Sequence, residues 1–206
     1  MPRAFSELMF TPAVRAHQER MGSAKTYAKF LEGGPQQGHE IGPAEKAFIE
    51  ARDGFYQSTV SETGWPYVQY RGGPAGFLKV FGPTTIGYAD FSGNKQYISR
   101  GNLDGNDRVA MILMDYANQR RLKILGRVAF TEGEAAAASL FPDEADAVAE
   151  RAVIIRVEGL DWNCPRHITP RFTEAELRPH LNTLGQQLAQ LQAKNEKLKQ
   201  QLASRS

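Results

Sequence analysis

Between Phe55 and Asp90 the chain alternates β-rich runs with turns too short to hold a helix, and this alternation constrains the fold more than any other feature. The runs are Phe55–Val60, Pro66–Arg71, Phe77–Phe81 and Thr84–Asp90, rich in aromatic and β-branched residues. Only Glu62-Thr63-Gly64, Gly72-Gly73-Pro74-Ala75-Gly76 and Gly82-Pro83 separate them. Parallel neighbours need a crossover of about a dozen residues or more, so a parallel doubly wound sheet is excluded and antiparallel hairpins are expected.

Downstream, Arg108–Met114 is almost continuously apolar and reads as a strand buried on both faces. Arg120–Phe130 alternates instead, with Leu122 and Ile124 on one face and Arg121 and Lys123 on the other. Arg151–Val157 is the last clear strand. About six strands with helices at the margins predict a mostly β fold with flanking helices, built as a small antiparallel barrel.

The flanks read as helices. Thr11 caps a helix whose first residue is Pro12 and which runs toward Leu31, weakened at Gly22 and stopped by Gly33-Gly34-Pro35. Gly42-Pro43 starts another, in which Ala47, Phe48 and Ala51 share a face. Asn94–Asp107 is a short helix or helical loop, and Glu132–Glu150 holds one or two short helices interrupted by Pro142. The resulting divisions are a helical segment at 1–53, the barrel at 54–160, an irregular segment at 161–172 and a C-terminal helix at 173–206.

That last helix opens on the capping box Thr173-Glu174-Ala175-Glu176, with Pro179 dividing its first turn from the rest. Leu177, Leu181, Leu184, Leu188, Leu191, Asn195, Leu198 and Leu202 follow at alternating steps of four and three, an a/d heptad seam with Asn195 at an a position. The expectation is a homodimer with a parallel coiled-coil tail, because two Asn amides bond each other only in a parallel, in-register pair. A basic leucine zipper is disfavoured, since Pro170 and Pro179 interrupt the segment where a continuous DNA-binding helix would lie.

A net charge of +2 over 206 residues gives no global attraction to nucleic acid or to an anionic membrane, so any anion site must be local. The single cysteine, Cys164, excludes an internal disulfide framework and a multi-thiolate metal site. With no apolar signal core near Met1 and no membrane-length apolar window, a cytoplasmic protein is expected. No HExxH metal motif is present.

The local anion site is sought along Tyr67–Gln96, where cations and amides stand at strand ends beside flat surfaces. Such a set suits a ligand with one phosphate and one planar ring. The glycine run at 72–76 lacks the Gly-Lys-Ser/Thr ending of a P-loop and reads as a cover rather than a phosphate cradle.

In the order and spacing of these parts, roughly from Phe48 to Val157, the chain resembles the pyridoxamine 5′-phosphate oxidase-like superfamily, the split barrels that bind flavin mononucleotide (FMN). The parts are the polar strand ending in Arg71, Leu78-Lys79, the polar segment after Asp90, Asn106-Asp107-Arg108-Val109, and Arg120-Arg121-Leu122-Lys123-Ile124-Leu125-Gly126. The resemblance implies a split barrel, dimeric, with two shared FMN sites; together with the elements read above this gives a six-stranded antiparallel split β-barrel with N-terminal helices and a C-terminal coiled-coil helix. It implies that Gln69, Tyr70 and Arg71 line the ring and ribityl chain, that Lys79 approaches the ring's polar edge, and that Asp90 and Ser92 follow along the chain.

Asn94, Lys95 and Gln96 stand where the family's oxidases carry a Ser-Arg-Lys phosphate grip, and Arg121 with Lys123 falls where the second protomer contributes. With a hydroxyl and a cation replaced, Arg71 or Arg121 supplies the missing charge. Arg166 and His167 loosely echo the oxidases' substrate grip and join Lys79 as catalytic candidates.

The implied activity is FMN-dependent oxidoreduction of an unassigned small-molecule substrate, with a reduced nicotinamide as a possible donor. The alternative is a non-catalytic flavin-binding or sensor protein acting through its coiled coil. Haem ligation is disfavoured because no histidine lies on the central strands. Trp162 is a candidate either to stack on the flavin ring or to pack in the core.

Overall fold

Seven strands, all paired antiparallel, form one sheet in the order β2-β1-β5-β6-β7-β4-β3. In chain order they are β1 (Gly54–Val60), β2 (Pro66–Gly72), β3 (Lys79–Gly82), β4 (Thr85–Phe91), β5 (Arg108–Asp115), β6 (Arg120–Glu132) and β7 (Ala149–Trp162). The helices are α1 (Arg3–Met9), α2 (Pro12–Arg20), α3 (Ala24–Ala28), α4 (Pro43–Glu50), α5 (Ile98–Gly105), α6 (Glu134–Leu140) and α7 (Glu174–Ala203). This computed structural model describes residues 3–31, 38–140, 149–162 and 164–204. Its chain packs as two units, Met1–Asp115 with Gln119–Ile168, and Tyr116–Asn118 with Thr169–Ser206. Among the described residues no helix is long and apolar enough to cross a membrane.

In the first unit the sheet is open, because β2 and β3 are both edges, yet it curls. In a flat sheet β1 and β4 would stand about 19 Å apart, four strand spacings. Instead the rings of Phe55 on β1 and Tyr88 on β4 meet edge to face with centroids 5.3 Å apart, and Phe77 stacks on Phe55 at 5.7 Å. The Tyr88 hydroxyl donates to Gln57 Oε1 at 2.9 Å across the same interior, where burial pushes its pKa up to about 12. Met111, Leu113, Leu122, Ile124 and Ile155 complete a core that excludes water. The first unit is therefore a split antiparallel barrel, closed by side chains where the backbone ladder is interrupted.

Several expectations change. Among the described residues the strands number seven rather than about six: each of the seven β-rich runs forms a strand, and Phe77–Phe81 does so only over Lys79–Gly82, as an edge paired with β4. Phe77 and Leu78 precede that strand and anchor it, both nearly fully buried. β5 is not buried on both faces: Val109, Met111 and Leu113 point inward while Ala110 and Ile112 are exposed. β7 starts earlier and ends later than Arg151–Val157, so Asp161 and Trp162 belong to a strand rather than to an irregular segment. Trp162 packs on Phe48 with centroids 4.7 Å apart, and its indole N–H donates to Glu45 at 2.7 Å, which makes it a core side chain.

Thr11 caps α2 as expected, accepting from the Val14 N–H, but the helix does not run toward Leu31. Gly22 takes φ +73°, a left-handed conformation that ends a right-handed helix, and α3 restarts beyond Ser23. In α4 the buried pair is Phe48 and Ile49, with Ala47 and Ala51 exposed. The stop at Gly33-Gly34-Pro35 and the interruption at Pro142 lie outside the described residues.

In the second unit α7 is continuous from Glu174 through Pro179 to Ala203. Proline lacks the N–H that would bond the Ala175 carbonyl, but one missing bond in the second turn does not end a helix that a full capping box has started.

Phe55 joins both halves of the curled sheet. Phe55→Ala is expected to cost about 3–5 kcal/mol in urea unfolding; a loss below about 1 kcal/mol would mean that the interior closes without it.

Candidate functional site

Where β2 and β4 approach each other across the split, a solvent-open cleft forms. β2 contributes Tyr67, Gln69 and Arg71, the inward-facing half of its alternation. The end of β4 contributes Asp90 and Phe91, the following loop Gly93 to Gln96, the start of α5 Tyr97 to Arg100, and β7 Glu150 and Arg151.

Asp90 organises the wall. One of its carboxylate oxygens accepts from Arg71 and the other from Arg151 at 3.1 Å. Arg151 also reaches Glu132 at 3.1 Å and Glu150 at 2.7 Å, so one buried guanidinium satisfies three carboxylates. Arg100 is held by Asp104 and Glu132. All three arginines are thus engaged. Lys95, the fourth cation on the cleft, is exposed and makes no ion pair among the described residues.

The loop carrying Lys95 is held in an uncommon conformation. Lys95 and Tyr97 adopt φ +60° and +51°, left-handed values that cost non-glycine residues on the order of 1–2 kcal/mol each. Asn94 Oδ1 accepts from the Gln96 N–H, and the Tyr97 hydroxyl donates to Glu150 at 3.0 Å. Immediately after this loop α5 begins with no side-chain cap and no acidic residue in its first turn. The first N–H groups of a helix have no intrahelical acceptor, and the helix dipole makes them an anion site. Ser99 turns its hydroxyl to Gln69 at 2.9 Å, tying α5 to β2.

Partial desolvation of Glu150 would raise its pKa, but hydrogen bonds from Tyr97 and Ser92 and the charges of Arg151 and Lys95 outweigh it and hold the carboxyl below the ordinary glutamate value. The Tyr97 phenol is correspondingly raised, first by its bond to Glu150.

Of the residues singled out in the sequence, the fold gathers Gln69, Arg71, Asp90, Asn94, Lys95 and Gln96 at this cleft, with Ser92 bonded to Glu150 beside it. It does not bring the others here. Tyr70 points to the opposite face of β2, against Tyr56 at 5.3 Å. Lys79 opens β3, paired with Gly87. Arg121 and Lys123 lie on the outer face of β6, and Arg121 Nε is buried with no hydrogen-bond partner among the described residues. Arg166 and His167 are exposed, His167 at φ +66°. The glycine run is tied to Asp53 and to Phe77 and lines no part of the cleft.

Sequence reasoning missed Tyr97, Ser99, Arg100, Glu150 and Arg151. The only local signal was a lysine just before a helix start lacking an acidic first turn. Arg151 reaches Asp90 through the β4–β7 pairing, which no local pattern reveals.

Fold and cleft together define a split-barrel protein with a polar cleft beside β2 and α5. Residues 41–163, more than half of the chain, match the family model for pyridoxamine 5′-phosphate oxidase. The chain belongs to the pyridoxamine 5′-phosphate oxidase family, a family of flavin-binding, oxidoreductase type. Similar solved structures include HupZ of Group A Streptococcus, 18% identical over 64% of this chain and 99% of that one, TM-score 0.49. An FMN-binding protein of Syntrophomonas wolfei is 12% identical over 74% and 95%, TM-score 0.47. A Clostridium acetobutylicum protein related to general stress protein 26 of Bacillus subtilis is 16% identical over 65% and 94%, TM-score 0.44. No curated protein matches the sequence.

Two outcomes test the site. Asp90→Asn leaves two guanidinium groups short of a buried charge and should cost about 3–5 kcal/mol in denaturant unfolding. Because the Glu150 carboxyl is depressed, its contact with Tyr97 adds stability above pH 4.5, the ordinary value, and loses it as pH falls through the lower folded value. The melting difference between wild type and Tyr97→Phe should therefore shrink on acidification; a difference that grows in acid contradicts the assignment.

Proposed function

We propose that the cleft binds FMN and that the protein is an FMN-dependent oxidoreductase. The observation that carries this reading is the start of α5: an uncapped helix N-terminus beside Lys95, the one cleft cation without an ion pair among the described residues. The donors present suit the group. Lys95 and the first N–H groups of α5 would hold the phosphate, and Gln69 and Arg71 the ribityl chain and polar ring edge. Arg71 Nε is buried with no acceptor among the described residues, an orphan donor on the cleft wall. When bound, the flavin supplies two-electron exchange with substrate or with a reduced nicotinamide.

The protein also acts, in this reading, as a homodimer with shared sites. On the outer face of the sheet Tyr56, Val60, Val68, Tyr70 and Ile112 are each more than a third exposed. An apolar patch of this kind suits a second copy, and Arg121, on the same face, has an Nε that still needs an acceptor. Arg166 and His167, which loosely echo the related oxidases' substrate grip, do not line the cleft, and this supports a different substrate. The exposed leucine stripe of α7 favours a second reading, a flavin-binding or sensor protein that does not turn over.

Titration of the purified protein with FMN and with riboflavin, followed by flavin fluorescence, tests the binding. Lys95→Ala should weaken FMN by about 10- to 100-fold, the value of one charge-assisted contact, and riboflavin little. Absence of FMN uptake, or equal loss for both flavins, overturns the site. Anaerobic reduction by nicotinamide nucleotides and steady-state turnover then separate enzyme from binder.

A further inference from the structure

The flavin site leaves the C-terminal helix unused. α7 begins on a complete capping box, in which Thr173 Oγ1 accepts from the Glu176 N–H at 3.2 Å and Glu176 Oε2 accepts from the Thr173 N–H at 2.7 Å. It continues to Ala203 with no buried residue. Leu177, Leu181, Leu184, Leu188, Leu191, Leu198 and Leu202 are 40% to 68% exposed along one stripe. An apolar stripe left in water is unfavourable.

We propose that α7 pairs with the same helix of a second copy of this chain, as a parallel, in-register, two-stranded coiled coil. The four–three spacing averages 3.5 residues, which keeps the stripe on one partner as the two helices supercoil. At about half exposure the leucines offer on the order of 700 Å² per helix, so a pair buries about 1,400 Å², inside the ~1,200–2,000 Å² of stable interfaces.

Asn195 selects the occupant. It interrupts the leucine stripe at an a position, where an unrelated apolar helix would leave its amide unpaired. In a parallel pair of identical helices each Asn195 amide meets the other. Antiparallel pairing would set it against leucine.

The flanking positions carry a cost that makes the proposal specific. In the parallel pair Gln187 faces the partner's Gln192, and Lys194 faces the partner's Lys199. Within each helix Lys199 donates to Glu196 at 2.9 Å, which reduces the repulsion. Self-pairing should therefore tighten as ionic strength rises, whereas capture of an acidic helix would weaken.

The test uses the full chain with Cys164→Ser, and it does not depend on flavin binding. Leu198→Cys, at a d position, should form disulfide-linked dimer about tenfold more than Gln200→Cys, on the outer face, because only the seam holds identical positions together. The yield should persist at high salt and collapse in Leu188→Glu, with circular dichroism checking that the helix is retained. A barrel dimer alone does not concentrate Leu198 over Gln200. Equal yields at the two positions, or a Leu198→Cys yield that falls as salt rises, overturn the proposal.

Discussion

The Asp90 carboxylate sits between two guanidinium groups that reach it from opposite sides of the split, Arg71 from the edge strand β2 and Arg151 from β7. In a flat sheet of this order β2 and β4 would be about 24 Å apart, so the Arg71–Asp90 pair exists only because the sheet curls, and it holds the curl where no ladder does. Buried ion pairs add little net stability against apolar substitutes, but they are unforgiving of error. A slip of β2 by one residue would turn Arg71 outward and present Tyr70 or Gly72 to Asp90. Specificity of register is what the pair contributes, and the cleft inherits its geometry from it.

The same arrangement explains why a wall with three arginines offers little free positive charge. Each arginine meets at least one carboxylate, which neutralises it and fixes its direction. The unspent positive field comes from a lysine in a left-handed turn and from helix N–H groups, both placed by the loop that Glu150 anchors through Tyr97. The arginines build the cleft, and Lys95 is the cation on it that makes no ion pair among the described residues. The sequence expectation that Arg71 supplies free charge meets this constraint: its charge is used structurally, and only its Nε is left over.

The legible parts of the molecule were those written in local periodicity. The hairpin from Gly54 to Gly72, the Thr11 cap, the alternation of Leu122 and Ile124 against Arg121 and Lys123, and the capped start of α7 all follow from spacing within a few residues. What escaped depends on distant pairing. Arg108–Met114 looks buried on both faces because Ala110 and Ile112 are apolar, yet hydrophobicity does not say whether the covering surface belongs to the same chain. Arg151 reads as an ordinary strand-starting cation until β4 and β7 align it with Asp90. Pro179 reads as a break because propensity weighs one residue, whereas a capped helix integrates many.

Of the residues expected at the flavin but found away from the cleft, Tyr70, Arg121 and Lys123 share the outer face of the sheet, whereas Lys79 lies on β3 and Arg166 and His167 in an exposed turn. Tyr70, Tyr56, Ile112 and Lys123 stand in one row, in register across β2, β1, β5 and β6, and Arg121 lies one step along beside Met114. The row begins on the outer side of the same edge strand whose inner side lines the cleft. It passes from aromatic to aliphatic to cationic, and at Lys123 it meets Asp161 of β7 in register. Lys123 therefore has a carboxylate opposite it in the same subunit, while Arg121 keeps a buried donor without an acceptor among the described residues. A surface that is apolar at one end and short of an anion at the other is complementary to a partner carrying both an apolar face and an acceptor.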